Sequence, residues 1–300
     1  MKTPLNDTIV TEAIEGMGLG DFSQATIRDI QSLSKVLEEK TGQTVIHLEM
    51  GVPGLQPSSI ALKAEQEALA KGCATTYPPN GGIPRIKEAA SRFVKAFIDV
   101  DIDPLCCIPT TGSMQGTFAT FTAWHHAMPE KDTVLFIHPG FPVQTTQCDV
   151  IGLKHIGLDI HGYRGAALIE KLEEILSAGN ICGIVYSNPN NPSWVCFNDE
   201  ELKGIAGLAD KHDCIILEDL AYFAMDFRRD LSHPSRHLSR QRWQDTQTST
   251  SWQCLVRRHS RMPVSASVWL ASATRSTTGC IQPWRRTSAW ASSETSSATD

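Results

Sequence analysis

No run of about 18 apolar residues occurs anywhere in the chain, so no membrane-spanning helix is expected. The N-terminus, MKTPLNDTIVTEAIEGMG, has no basic segment leading into an apolar core, which argues against a secretory signal. The nine Cys, at 73, 106, 107, 148, 182, 196, 214, 254 and 280, form no CxxC pair. Neither a zinc site nor a disulfide framework is expected, and free thiols fit a reducing, cytoplasmic compartment. No Gly-Lys-Ser/Thr follows a glycine-rich turn, which excludes a P-loop. Beyond Lys211 the chain has no Lys at all, and beyond Pro234 it has neither Phe nor Tyr.

That last absence marks a break in composition. Residues 1–234 hold 18 basic and 30 acidic side chains, a net of −12, whereas residues 235–300 hold nine Arg against three acids, a net of +6. An acidic body is the wrong surface for nucleic acid. The tail has 23 Ser and Thr in 66 positions and five of the seven Trp, with no sustained period of 3.6 or 2.0. A disordered basic tail and a small separate domain are alternatives. Translation in a shifted register after about His233 is the leading expectation, since all three trends change at one point.

The body alternates short apolar runs with amphipathic helices. Ile27, Ile30, Leu33 and Leu37 make one helical stripe closed by Gly42. VIHLEM (45–50) is expected to be extended, and Ser58 to cap a helix running to Lys71. A third helix fits 84–97, with Pro84 in its first turn. From Cys106 the expected strands are CCIPT, TVLFI (133–137), VIGLKHI (150–156), ICGIVYS (181–187) and CIILED (214–219). Helices are expected at 112–127, 165–177 and 198–212. The pattern implies an α/β fold, its largely parallel sheet covered on both faces. In such sheets ligands sit beyond the carboxyl ends of the strands.

Four strand ends carry chemistry. TTGSM (110–114) opens a helix, where outward N–H groups and the dipole favour an anion such as phosphate. HPGF (138–141) ends the second strand. SNPNNPSW (187–194) contains two Asn-Pro pairs that impose a rigid turn able to fix Asn191 above the sheet edge. EDLAY (218–222) places Asp219 at the end of an apolar strand, where a carboxylate needs a cationic partner to stay ionised.

With LEMGVPGLQP and TYPPNGGIPRIKEA upstream, these segments resemble the class I/II aminotransferases, fold-type-I pyridoxal-phosphate enzymes of the aspartate-aminotransferase type. The resemblance runs from about residue 43 to 230. It implies residues 1–42 as an N-terminal arm and helix, 43–232 as an incomplete cofactor-binding large domain, and 233–300 as an anomalous tail in place of a recognisable small domain. Asp219 would hold the pyridine nitrogen protonated, and Asn191 and Tyr222 would hydrogen-bond the phenolic oxygen. Phe141 would stack on the ring, and Gly112, Ser113 and Met114 would cradle the phosphate. Tyr77 would reach the phosphate of a neighbouring subunit in a homodimer, and Gly51 and Asn191 would lie against the substrate. The implied reaction moves an amino group from an amino acid to a 2-oxo acid; no metal, nucleic acid or membrane is implied. A β-lyase on the same fold and a non-catalytic cofactor-binding remnant are the alternatives.

Two departures from the family pattern stand out. Ser193-Trp194 replaces Thr-Gly, and the Schiff-base Lys, expected in Ser-x-x-Lys some tens of residues after Tyr222, is absent. Lys203 and Lys211 fall on the helix before the Asp219 strand and are expected to face solvent. The chain as it stands is expected not to turn over.

Overall fold

The computed structural model describes residues 5–18, 23, 25–48, 58–98, 101–222, 252–256 and 266–272, in two units, Met1–Gln56 and Pro57–Asp300. In the first unit α1 (Asp7–Gly16) pairs with α2 (Ile27–Thr41) around Ala13, Leu33 and Leu37. Thr26 and Asp29 form a reciprocal capping box at the start of α2, and Gly42 at φ 66° closes its end. The expected stripe is narrower than its sequence pattern, because Ile27 sits in the first turn and is 56% exposed. The α1 helix goes beyond the sequence reading.

The second unit begins with α3 (Ser59–Ala70), none of whose residues is buried. Ser58 occupies its N-cap position, but its hydroxyl makes no capping bond, contrary to expectation. α4 (Pro84–Ile98) follows, and then a sheet of seven strands. These are β1 (Cys107–Thr111), β2 (Thr133–His138), β3 (Lys154–Asp159), β4 (Ile181–Ser187), β5 (Ile215–Asp219), β6 (Trp252–Val256) and β7 (Ala266–Ser272). Helices α5 (Ser113–Ala127), α6 (Val143–Ile151), α7 (Ala166–Leu176) and α8 (Asp199–Lys211) connect the strands up to β5.

The spatial order is β1-β7-β6-β5-β4-β2-β3. Only β7 runs antiparallel to its neighbours, β1 and β6, so the other six strands point the same way and share one carboxyl edge. The strand residues alternate between two cores. Leu135, Ile137, Ile184 and Ile216 face Leu168, Leu172 and Leu176 of α7 and Leu202 and Ile205 of α8. Val134, Phe136, Val185 and Leu217 face Phe121 and Trp124 of α5 and Cys148 of α6. Each fully buried Leu or Phe contributes about 1.5–3 kcal/mol. Trp124 lies flat on Gly183 of β4, where a Cβ would overlap its ring. Among the described residues no helix is long and apolar enough to cross a membrane.

One strand expectation is corrected here. The run 150–156 is not one strand: Val150 and Ile151 end α6, Gly152 at φ 79° caps it, and β3 starts at Lys154. Its apolar residues straddle a helix end and a strand start, which a composition run does not reveal. The tail, in which no sustained period is found, contributes β6 and β7. WQCLV pairs with β5 in parallel, and ASVWLAS lies between β6 and β1. Interior strands are short runs without alternation, which is why a search for periodicity passes over them. Residues 223–251, 257–265 and 273–300 lie outside the described residues.

Candidate active site

The carboxyl edge gathers most of the expected residues. Asp219, the last residue of β5, is 7% exposed. Its Oδ1 accepts from the Ala221 backbone N–H at 3.0 Å and its Oδ2 from Gln144 Nε2 at 3.1 Å. Its carbonyl accepts from the Asn188 N–H at 3.1 Å, which joins the turn after β4 to the end of β5. Gln144, in the first turn of α6 and 5% exposed, was not foreseen from sequence. Only its place three residues after Phe141, and thus on the helix opened by Pro142, could have marked it.

The 187–197 loop is organised by a residue the sequence reading also passed over. Asn190 is 4% exposed, and its Nδ2 donates to the Pro139 carbonyl at 2.7 Å and to Ser187 Oγ at 3.2 Å. Its Oδ1 accepts from Ser193 Oγ at 2.6 Å and from the Ser193 N–H at 3.2 Å. Asn190 therefore ties the HPGF turn to the NPNNPSW turn, two strand ends that are not sequence neighbours. Asn191 is half-buried, its N–H donating to Ser187 Oγ at 3.1 Å. Trp194 adopts φ 59°, an uncommon conformation for a bulky residue, with its N–H on the Asn190 carbonyl at 2.9 Å. Its ring meets Tyr222 edge-on, the centroids 5.5 Å apart.

The far end of the loop is clamped from α8. Glu201, fully buried, accepts from Arg164 Nε and Nη2 at 2.7 Å each, from the Gly165 N–H at 2.7 Å and from the Asn198 N–H at 2.9 Å. Burial pushes its carboxyl up, but the Arg164 guanidinium and the two backbone N–H groups outweigh that, and it titrates below its ordinary value. Arg164 Nη2 also donates to the Cys196 carbonyl at 3.0 Å.

The turn between β1 and α5 has the form of an anion cup. Gly112 adopts φ 86° and ψ 161°, a conformation closed to other residues, and α5 starts behind it with no side-chain cap on its first N–H groups. Thr110 Oγ1 donates to the Gly112 carbonyl at 2.9 Å, and the Thr111 N–H to Gln115 Oε1 at 2.6 Å. Gln147 of α6 donates to the Met114 carbonyl at 3.0 Å and accepts from Thr117 Oγ1 at 2.7 Å, locking α6 to the same turn. Ser113 and Met114 are half-buried there, as is Phe141 between β2 and α6. Tyr77 is fully exposed, well apart in burial from these residues. Gly51 lies outside the described residues.

The family profile of aminotransferases of class I and II matches residues 43–241. The chain belongs to that family. Among the proteins similar to this chain is the aspartate aminotransferase of Pyrococcus horikoshii, 28% identical over 67% of this chain and 49% of its own. Another is kynurenine–oxoglutarate transaminase 1 of Homo sapiens, 26% identical over 59% of this chain and 44% of its own. The chain thus spans about half the length of the curated relatives it matches. The alanine aminotransferase of Pyrococcus furiosus has the same fold, with a TM-score of 0.67 at 19% identity over 88% of this chain and 66% of that one. The chain therefore has the fold-type-I α/β architecture expected of it.

Three buried thiols, those of Cys148, Cys182 and Cys214, lie in the cores of the sheet. Burial pushes Cys148 and Cys182 up to about 12 and Cys214 up to about 11, so all three stay protonated at neutral pH.

Proposed function

We propose that this chain is the pyridoxal-phosphate-binding part of an aminotransferase whose intact form moves an amino group between an amino acid and a 2-oxo acid. The observation that carries the reading is Asp219, a buried carboxylate fixed by Gln144 and Ala221 on the edge where the uncapped N-terminus of α5 also opens. A carboxylate so placed suits a protonated ring nitrogen, and such a helix end suits a phosphate. Pyridoxal phosphate presents both groups on one ring.

When bound, this cofactor supplies an electron-withdrawing ring that takes up negative charge from the substrate Cα. Asp219 keeps the ring nitrogen protonated, while the Asn191 amide and the Tyr222 hydroxyl bond the phenolic oxygen. Phe141 covers one ring face, and the backbone N–H groups at Gly112, Ser113 and Met114 hold the phosphate. Gly51 and Asn191 face the substrate. Tyr77, fully exposed, is read as reaching the phosphate site of a second copy in a homodimeric parent.

The family resemblance assigns the proton shuttle at the substrate Cα to the Schiff-base Lys, and no Lys follows Lys211. Lys211 itself pairs with Glu173 at 2.7 Å on the surface of α8, as expected of a solvated face. We therefore read the 300 residues as binding the cofactor without covalent attachment and without turnover. The composition break after His233 supports a shifted reading register as the cause. Translating the coding DNA from codon 225 in all three frames tests this. An open frame encoding Ser-x-x-Lys and then Arg is expected, whereas closed frames would make the Lys-free tail the protein's own.

Titration of pyridoxal phosphate into the purified chain is expected to give saturable binding, weakened about tenfold or more by Asp219→Ala. Binding indifferent to that substitution would remove the site assignment. Multiple turnover with an amino donor and a 2-oxo acid would remove the non-catalytic reading.

A further inference from the structure

The carboxylate of Asp219 does not orient itself. Its chain ends a strand, and two groups from different parts of the fold hold its two oxygens: the Ala221 N–H on Oδ1 at 3.0 Å and Gln144 Nε2 on Oδ2 at 3.1 Å. The first is local, two residues along, and turns with the backbone. The second comes from α6, whose position is fixed independently by Gln147 on the Met114 carbonyl of the phosphate turn and by Cys148 in the core. Gln144 thus links the carboxylate to the helix packed against the anion cup. An amide on Oδ2 restricts the plane of the carboxyl group. The amide is neutral and donates whatever the pH.

We infer that Gln144 is a positioning residue that aims Asp219 at the ring nitrogen of the bound pyridoxal compound, so that the site discriminates a pyridine from a benzene ring of the same shape. This rests on the cofactor reading above. The angle of the Asp219 carboxyl plane decides whether a ring nitrogen meets an oxygen lone pair head-on, and hydrogen-bond strength falls steeply with misalignment. The phosphate and phenolic contacts do not involve Gln144, so its loss acts on the nitrogen contact alone.

The test compares two probes on the full 300-residue chain: pyridoxamine 5′-phosphate and its 1-deaza analogue, in which a ring C–H replaces the nitrogen. Wild-type chain is expected to bind pyridoxamine 5′-phosphate about tenfold more tightly than the analogue, the size of one hydrogen bond to a charged group. Gln144→Met, unbranched and of equal length without the donor, is expected to lose most of that preference while its affinity for the analogue changes less than about twofold. Gln144→His, which keeps an N–H donor, is expected to retain part of the preference. On the wild-type chain itself, the Gln144 side-chain amide resonance is expected to shift with pyridoxamine 5′-phosphate and not with the analogue, a readout that holds even where a variant does not fold. Equal weakening of both probes by Gln144→Met would assign the residue to packing and overturn the inference, as would an unchanged preference or an amide shift common to both probes. Absence of binding by either probe to the wild-type chain would remove the cofactor reading itself, and the inference with it.

Discussion

Replacing Glu201 by Gln keeps the shape of the side chain and removes its charge, which makes it the sharpest probe of how the 187–197 loop is held. The native carboxylate accepts four N–H groups, two on each oxygen, from Arg164, Gly165 and Asn198. An amide has one oxygen, so its NH₂ end must face two donors. One of these belongs to Arg164, whose side chain is 43% exposed and can turn to water, but the other is a backbone N–H beside a fully buried group. Hydrogen bonds to a charged group are each worth about 1.5–3 kcal/mol, and breaking a buried pair costs about 3–5 kcal/mol. The exposure of Arg164 puts the expected loss at the low end, about 3 kcal/mol. Urea unfolding followed by circular dichroism is the assay, with the midpoint lowered and the slope unchanged. The folded-state carboxyl titrates below its ordinary value, so its contribution is complete above the usual glutamate range and is lost as pH falls through the lowered folded value. The wild type should therefore lose stability more steeply in acid than Glu201→Gln. A loss under about 1 kcal/mol at neutral pH, or identical acid profiles, would refute the reasoning.

Other substitutions separate the sheet from its edge. Gly112→Ala meets no atom within 4 Å, but at φ 86° it imposes about 1–3 kcal/mol of backbone strain, so weaker pyridoxal-phosphate binding with a lowered midpoint is expected. Gly183→Ala drives a methyl group into Trp124 and should cost about 1–3 kcal/mol, with the near-ultraviolet dichroism of the buried indole altered. Cys148, Cys182 and Cys214 should resist alkylation in the native chain at mildly basic pH and react once it is unfolded, as read by peptide mapping. Rapid native labelling of any of the three would contradict the burial described for it.

The elements most legible in the sequence are those whose pattern stops at a capping residue. α2 ends at Gly42, α8 starts at Asn198 with its own capping box, and β4 is a seven-residue apolar run flanked by polar turns. Where an apolar run crosses a boundary, as at Val150 to Ile156, composition alone misplaces the strand. The site shows the same division. Asp219, Asn191 and Gly112 stand at strand ends and follow from spacing. Gln144 and Asn190 act across the fold, on partners 75 and 51 residues away, and no local pattern announces such a bond. Trp194 was visible as an odd residue in its turn, but its contact with Tyr222 belongs to the tertiary structure.

The placement of β7 has a consequence for the order of assembly. Among the described strands β1 hydrogen-bonds to the sheet through β7 alone, Cys107 opposite Leu270 and Thr111 opposite Ala266. The strands β2 to β5 find their neighbours among one another, but β1 must wait for the ribosome to deliver residue 272. A pairing across so long a stretch of chain is slow to close, and an edge left open meanwhile can pair with other molecules. The Gly112 turn at the end of β1, tied to α6 through Gln147, therefore gains its place in the sheet only when β7 is laid beside β1.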